Sequence, residues 1–201
     1  MPRLILASQS PRRLTLLNSI NITPDKVISP DIDETERKGE LPQKLARRLA
    51  VQKNQKVGPD YPEDIILTAD TVVSAGRFIL PKAETKEDFF LCMERISGRR
   101  HKVMTGVAVC DPSGTIRSKV VTSLVKVKKL TIDEINAFYA TEEWKGKAGG
   151  YALQGYFGQF ITMLSGSYST VIGLPVYETA QMLYHAGLKR SKNESLSNLA
   201  A

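Results

Sequence analysis

Polar and apolar positions divide the chain into short, well-punctuated segments. Leu4-Ile5-Leu6-Ala7 is an apolar run too brief for a helix and suited to a buried strand. Beyond it, Ser10 can cap a helix and Pro11 fits the first helical position, with Leu14, Leu16 and Leu17 as the apolar face. Asp25 to Ser29 reads as a second strand, stopped at Pro30. From Pro42 to about Val57 a helix follows in which Leu45, Leu49, Lys53 and Val57 recur at i+4. Lys53 therefore lies on the inward stripe, where a lysine either snorkels outward or points into an anionic pocket. Ile65 to Ala69 is a buried strand, expected to end at Asp70-Thr71 with Val72-Val73 beyond. Gly76 then turns the chain into Phe78-Ile79-Leu80, and Pro81-Lys82 closes that strand.

The second half opens on Thr85 with Asp88, a capping arrangement for a helix carrying Phe89, Cys92, Met93 and Ile96 on one face and ending at Ser97-Gly98. His101 to Cys110 and Thr115 to Leu130 flank the turn Asp111-Pro112-Ser113-Gly114 and predict an antiparallel hairpin. Thr131-Ile132-Asp133-Glu134 is a capping box for a helix through Ala140. After a glycine-dense stretch from Gly146 to Gly155, Phe160–Leu164 and Tyr168–Ile172 both read as strands, and Pro175 starts a last helix that Gly187 stops. Helices interleaved with strands predict a mixed α/β fold. Its two lobes would face a crevice that collects the N-terminal turn, the Asp70 strand end and the glycine-rich loop.

Composition narrows the class. A chain of 201 residues, 42% hydrophobic and 24% charged, suits one soluble domain of two lobes over 1–188, with a polar tail over 189–201 expected to be disordered. No apolar run approaches the ~20 residues of a membrane span, and the N-terminus lacks a signal-peptide pattern. Two cysteines make neither a disulfide framework nor a metal motif, so a cytoplasmic protein with reduced thiols is expected. The net charge of +7 asks for an anionic partner. Nucleic acid fits poorly, because the basic residues are scattered and no nucleic-acid motif occurs.

The candidate chemistry concentrates in a few places. A helix N-terminus leaving a strand end is an anion site, and Ser8, Arg12 and Arg13 add a hydroxyl and two phosphate-matching forks to it. The same residues equally describe a capped helix with solvated arginines. Asp31-Ile32-Asp33-Glu34-Thr35-Glu36 is an acidic cluster in a basic chain, either a solvated loop or part of a hard-cation site. Asp70 stands where open α/β sheets place ligand-contacting groups. Ser8, Arg12, Arg13, Lys53 and Lys82 could contact phosphate, while Glu34 and Asp70 could bind metal or act as a base. That inventory suits phosphoryl transfer.

In order along the chain, Leu6-Ala7-Ser8-Gln9-Ser10-Pro11-Arg12-Arg13, Asp33-Glu34-Thr35, Leu49 to Lys53, Thr68-Ala69-Asp70-Thr71, Ser97 to His101, Ala148 to Gly155 and Val171 to Pro175 resemble the Maf family of nucleoside triphosphate pyrophosphatases. The resemblance runs from about Leu4 to Gly187 and implies the fold of the inosine triphosphate pyrophosphatases. Pro81-Lys82-Ala83 departs from the more usual Gly-Lys-Pro and keeps the lysine. The resemblance further implies hydrolysis of a nucleoside triphosphate to monophosphate and pyrophosphate with Mg²⁺ or Mn²⁺. Ser8, Arg12, Arg13, Lys53 and Lys82 would hold the triphosphate, and Glu34 and Asp70 the metal. Asp70 is also the family's proton acceptor, a role that competes with coordination. Arg12, Thr71 and Gln154 resemble the dTTP/UTP subgroup rather than the one acting on 7-methyl-GTP, which remains the alternative within the family. A non-catalytic nucleotide- or nucleic-acid-binding regulator is the alternative outside enzymes. Homodimers are common in the family, although no dimer stripe shows in this sequence.

Overall fold

The computed structural model describes residues 2–189, so the tail expected over 189–201 lies, but for Lys189, outside them. In chain order the elements are β1 (Leu4–Ala7), α1 (Pro11–Asn18), β2 (Lys26–Ile28), α2 (Pro42–Val57), β3 (Ile65–Ala75), β4 (Phe78–Leu80), β5 (Lys82–Ala83), α3 (Lys86–Ile96), β6 (Arg100–Cys110), β7 (Ile116–Val127), α4 (Ile132–Ala140), β8 (Lys147–Ala148), β9 (Ile161–Ser165), α5 (Tyr168–Ile172) and α6 (Val176–His185). The main sheet runs β2-β1-β3-β6-β7-β9, with β4 added beside β3, while β5 and β8 form a separate ribbon. The pairs β1–β2 and β1–β3 are parallel and the rest antiparallel. Among the described residues no helix is long and apolar enough to cross a membrane.

β3 organises the molecule because successive side chains of a strand face opposite sides of the sheet. On one side Thr68, Asp70 and Val72 meet α2. Thr68 Oγ1 donates to Ala50 O at 2.7 Å, and Val72 packs with Leu45, Leu49 and Met104. On the other side Leu67 and Ala69 join a cluster with Leu4, Leu17 and Leu183, whereas Val73 joins a second cluster around Phe89, Phe138 and Phe157. Those two clusters are the two lobes. Thr71 falls between them and is the only side chain from Ile65 to Ser74 that is not buried.

α2 can lie this close to the sheet because β6 carries Gly106 opposite Asp70; a Cβ there would come within 2.2 Å of Ala46 O. Two capping boxes expected from sequence are formed, at Thr85 with Asp88 and at Thr131 with Glu134.

Three local expectations are corrected. β3 does not end at Asp70 but continues to Ala75, since β6 pairs with it in register as far as Ser74↔Lys102. Tyr168–Ile172 is a helix rather than a strand. The Ser167 side chain accepts from the Thr170 N–H at its start, and Gly173, with φ of 131°, ends it. These local bonds override the β preference of its residues. Ser10 holds the N-cap position of α1, but its side chain makes no capping bond.

His101, on β6, is 1% exposed, and its Nε2 lies 2.6 Å from the Tyr151 hydroxyl. Burial pulls its pKa from 6.5 down to about 4. Between those two values the unfolded chain binds a proton that the folded chain does not, so stability should fall as pH drops from 6.5 to about 4 and no further on this account. The loss amounts to about 3 kcal/mol. Urea unfolding at pH 7 and pH 4 should show the wild type losing that much more than His101→Gln, and equal losses would refute it.

Candidate active site

The site forms where the edge of β3 lacks a neighbouring strand. β1 pairs with Ile65 to Thr68 and β4 with Val73 to Ala75, leaving the stretch around Asp70 and Thr71 open on that edge. The chain leaving β1 turns into this gap. Ser8 is buried, and its Oγ accepts from Arg13 Nη1 at 2.8 Å and from the Ser10 N–H at 3.2 Å. Arg13 Nε also donates to Gly173 O at 2.9 Å, which ties the N-terminal turn to the loop after α5. Burial lowers the pKa of Arg13, against an opposing pull from Asp70; burial likewise lowers that of Arg12. Arg12 itself makes no hydrogen bond or ion pair among the described residues, and so stands as an unmatched cation on the wall.

Across the gap α2 delivers Lys53. Its Nζ lies 2.5 Å from Asp70 Oδ1 and 2.6 Å from Glu34 Oε1, and the side chains of Lys53 and Asp70 are about nine-tenths buried. Asn54, one residue on, fixes the helix by donating from Nδ2 to Ile66 O at 2.9 Å and Ala108 O at 3.2 Å. The acidic loop is held against the same helix by Arg48. Its guanidinium bonds both Glu40 carboxylate oxygens and Thr35 O, and it draws the pKa of Glu40 down to about 2. Glu34 is thus carried on a braced loop, not a freely solvated one.

The third wall comes from the β5–β8 ribbon, where Lys82 pairs with Ala148 and Ala83 with Lys147. Lys82 makes an exposed ion pair with Glu84 at 3.3 Å. Lys147 was not anticipated from sequence. Burial and then the like charges of Arg12 and Lys82 push its pKa down, marking three cations gathered at one end of the cavity. A lysine inside a glycine-rich stretch was the only sequence signal for it. The glycines there serve packing: Gly149 lies against Val73, where a Cβ would come within 2.8 Å, and Gly150 against Cys92. Gln154 is exposed on this wall, and its amide has no hydrogen bond among the described residues.

A cavity of about 1000 Å³ joins the three walls and is lined by Ser8, Arg12, Arg13, Glu34, Lys53, Asp70, Thr71, Lys82 and Gln154. All nine residues singled out from the sequence therefore face one space. Two carboxylates and several cations in a partly closed cleft can neutralise a polyanion and handle a proton or a hard cation. Among the described residues no group of three or more His, Cys, Asp or Glu side chains could hold a metal by itself.

The family described as Maf-like protein matches residues 3–186. A dTTP/UTP pyrophosphatase of Caulobacter vibrioides is 49% identical over 188 residues, covering 94% of this chain and 97% of that protein. A dTTP/UTP pyrophosphatase of Zymomonas mobilis is 50% identical over 192 residues, covering 96% and 95%. A nucleoside triphosphate pyrophosphatase of Ehrlichia ruminantium is 49% identical over 180 residues, covering 90% and 94%. Among solved structures, a HAM1 protein from Coxiella burnetii aligns with a TM-score of 0.49 at 13% identity, covering 92% of this chain and 100% of that one, a likeness too distant to carry an argument.

Removing one member of a buried ion pair strands the other. Lys53→Met should cost about 3 kcal/mol in urea unfolding, because Asp70 stays buried without its hydrogen-bonded cation. Lys53→Met combined with Asp70→Leu should recover at least half of that. If the two losses simply add, the buried pair is not what holds α2 to β3 here.

Proposed function

The chain belongs to the Maf-like protein family, and from that premise we propose that it hydrolyses dTTP and UTP to the nucleoside monophosphate and pyrophosphate, as a nucleotide-pool cleaning enzyme. The observation that carries the reading is the meeting of Asp70 and Glu34 on Lys53 Nζ, in a cavity whose other walls hold Ser8, Arg12, Arg13 and Lys82. In this reading Arg12, Arg13, Lys53 and Lys82 bind the triphosphate oxygens, and Ser8 holds the Arg13 fork in place through the bond from Nη1. Water adds to the α-phosphorus as the bond to the bridging oxygen breaks, and pyrophosphate leaves. Asp70 takes the proton from that water. Thr71 and Gln154, the uncharged polar groups of the same lining, select the base.

The donor set fits a divalent cation, since Mg²⁺ and Mn²⁺ accept one or two carboxylates and complete their shell with water and substrate phosphate oxygens. Glu34 and Asp70 would hold it, and it would neutralise charge on the leaving pyrophosphate. Asp70 cannot be fully coordinated and accept a proton at once, so Glu34, more than half exposed and on a loop, is assigned the larger share of the metal. The same reading places the enzyme in the cytoplasm, where two buried and unpaired thiols such as Cys92 and Cys110 stay reduced.

Pyrophosphate release from a panel of canonical triphosphates beside 7-methyl-GTP, with and without Mg²⁺, tests the whole reading. Metal-dependent release favouring dTTP and UTP is expected; preference for 7-methyl-GTP would overturn the base assignment and keep the chemistry. Asp70→Asn should reduce turnover by about 10²–10⁴-fold without unfolding the chain. Retention of wild-type turnover by that variant would remove Asp70 from the mechanism. Gln154→Glu should alter the preference among bases more than the maximal rate.

A further inference from the structure

Thr71 offers the cavity a hydroxyl, and a hydroxyl can read a base only if the place of its proton is settled. Its Oγ1 lies 2.9 Å from Thr105 Oγ1, a separation at which one of the two must supply the hydrogen. The proton of Thr105 is committed elsewhere, because Thr105 Oγ1 donates to Thr170 O at 2.8 Å. That carbonyl belongs to a fully buried residue in the middle of α5 and has no other donor among the described residues. The N–H groups of Gly173 and Leu174, the next along the chain, both go to Ser169 O at 3.0 Å. Turning Thr105 away would leave a buried carbonyl bare, at a cost of about 1–3 kcal/mol. The hydrogen between the two threonines is therefore that of Thr71.

We infer that Thr105 is a positioning residue for base selection: it holds the Thr71 hydroxyl as a donor towards the protein, so that Thr71 meets the cavity only as an acceptor. An acceptor there suits a ring N–H, such as N3–H of uracil and thymine, and opposes the bare N3 of cytosine, which also accepts. Gln154 cannot make this distinction alone, because its amide can present either its oxygen or its nitrogen. A free hydroxyl could not make it either. The fixed chain Thr71 to Thr105 to Thr170 O supplies the direction that the other groups lack. The inference rests on the nucleotide reading of the cavity proposed above.

The test compares kcat/KM for UTP and CTP in the wild type, Thr105→Val and Thr105→Ser, with thermal melting to establish folding. The wild type should favour UTP about tenfold or more. Thr105→Val, which keeps the shape and removes the acceptor, should shrink that ratio severalfold through a gain on CTP, and Thr105→Ser should restore it. A valine variant that loses UTP and CTP turnover in equal proportion would show a merely structural residue and overturn the inference. Should the valine variant fail to fold, wild-type enzyme with N3-methyl-UTP decides: this analogue lacks the N–H and should be turned over at least about tenfold less efficiently than UTP. Equal turnover of the two would also overturn the inference. Absence of turnover on every nucleotide would instead sink the reading of the cavity, and this inference with it.

Discussion

The ammonium of Lys53 between the carboxylates of Asp70 and Glu34 is the constraint around which the rest of the site is built. Two acids this close repel each other unless a cation lies between them, and a lysine on the inward face of a helix is costly unless it finds an acid. Each of the three thus makes the other two tolerable. Meeting that condition requires α2 to sit near the sheet at one height only. Gly106 permits the approach, while Asn54 and the Thr68-to-Ala50 bond fix the height on either side of Lys53. The braced loop from Asp31 to Glu40 then brings Glu34 to a position already set by the helix.

β3 turns that arrangement into a cleft. Its outer edge is covered by β1 at one end and β4 at the other, and the uncovered middle is where the N-terminal turn enters. On the face away from α2, the two apolar clusters stop on either side of Thr71. A gap between two cores, floored by a continuous strand, gives a polar ligand space without breaking the sheet. Because Asp70 and Thr71 are neighbours in one strand, they point to opposite faces while still bordering the same cavity. In the proposed reaction one performs chemistry and the other selects the base, and the strand sets the distance between them.

Much of this was legible in the sequence. The i+4 stripe that placed Lys53 inward, the capping boxes at Thr85 and Thr131 and the hairpin of β6 and β7 all rest on local periodicity or local bonds, which a short window contains. What escaped depends on distant partners. Nothing near Asp70 says that β6 will carry β3 five residues further, to Ala75. Tyr168 to Ile172 has the side chains of a strand, and the cap at Ser167 outweighs them only once β7 has placed Ser123, whose hydroxyl donates to Ser167 O. Lys147 and Thr105 were missed for the same reason. One joins the cavity through a two-residue ribbon, and the other acts through a carbonyl sixty-five residues away.

Charge and hydrogen-bond direction divide the cavity into two kinds of surface. Where Arg12, Lys82 and Lys147 gather, like charges already weigh on the Lys147 ammonium, and a polyanion arriving there relieves that repulsion. Thr71 and Gln154 themselves carry no charge, and at them what matters is which atom carries a hydrogen. Electrostatic attraction of the first kind is strong and indifferent to the base; polarity of the second kind is weak and discriminating. A protein that must hydrolyse some triphosphates and spare chemically similar ones needs the discriminating surface to be the more rigid of the two. The chain from Thr71 through Thr105 to the Thr170 carbonyl provides that rigidity, because turning the Thr105 hydroxyl away would leave a buried carbonyl unpaired.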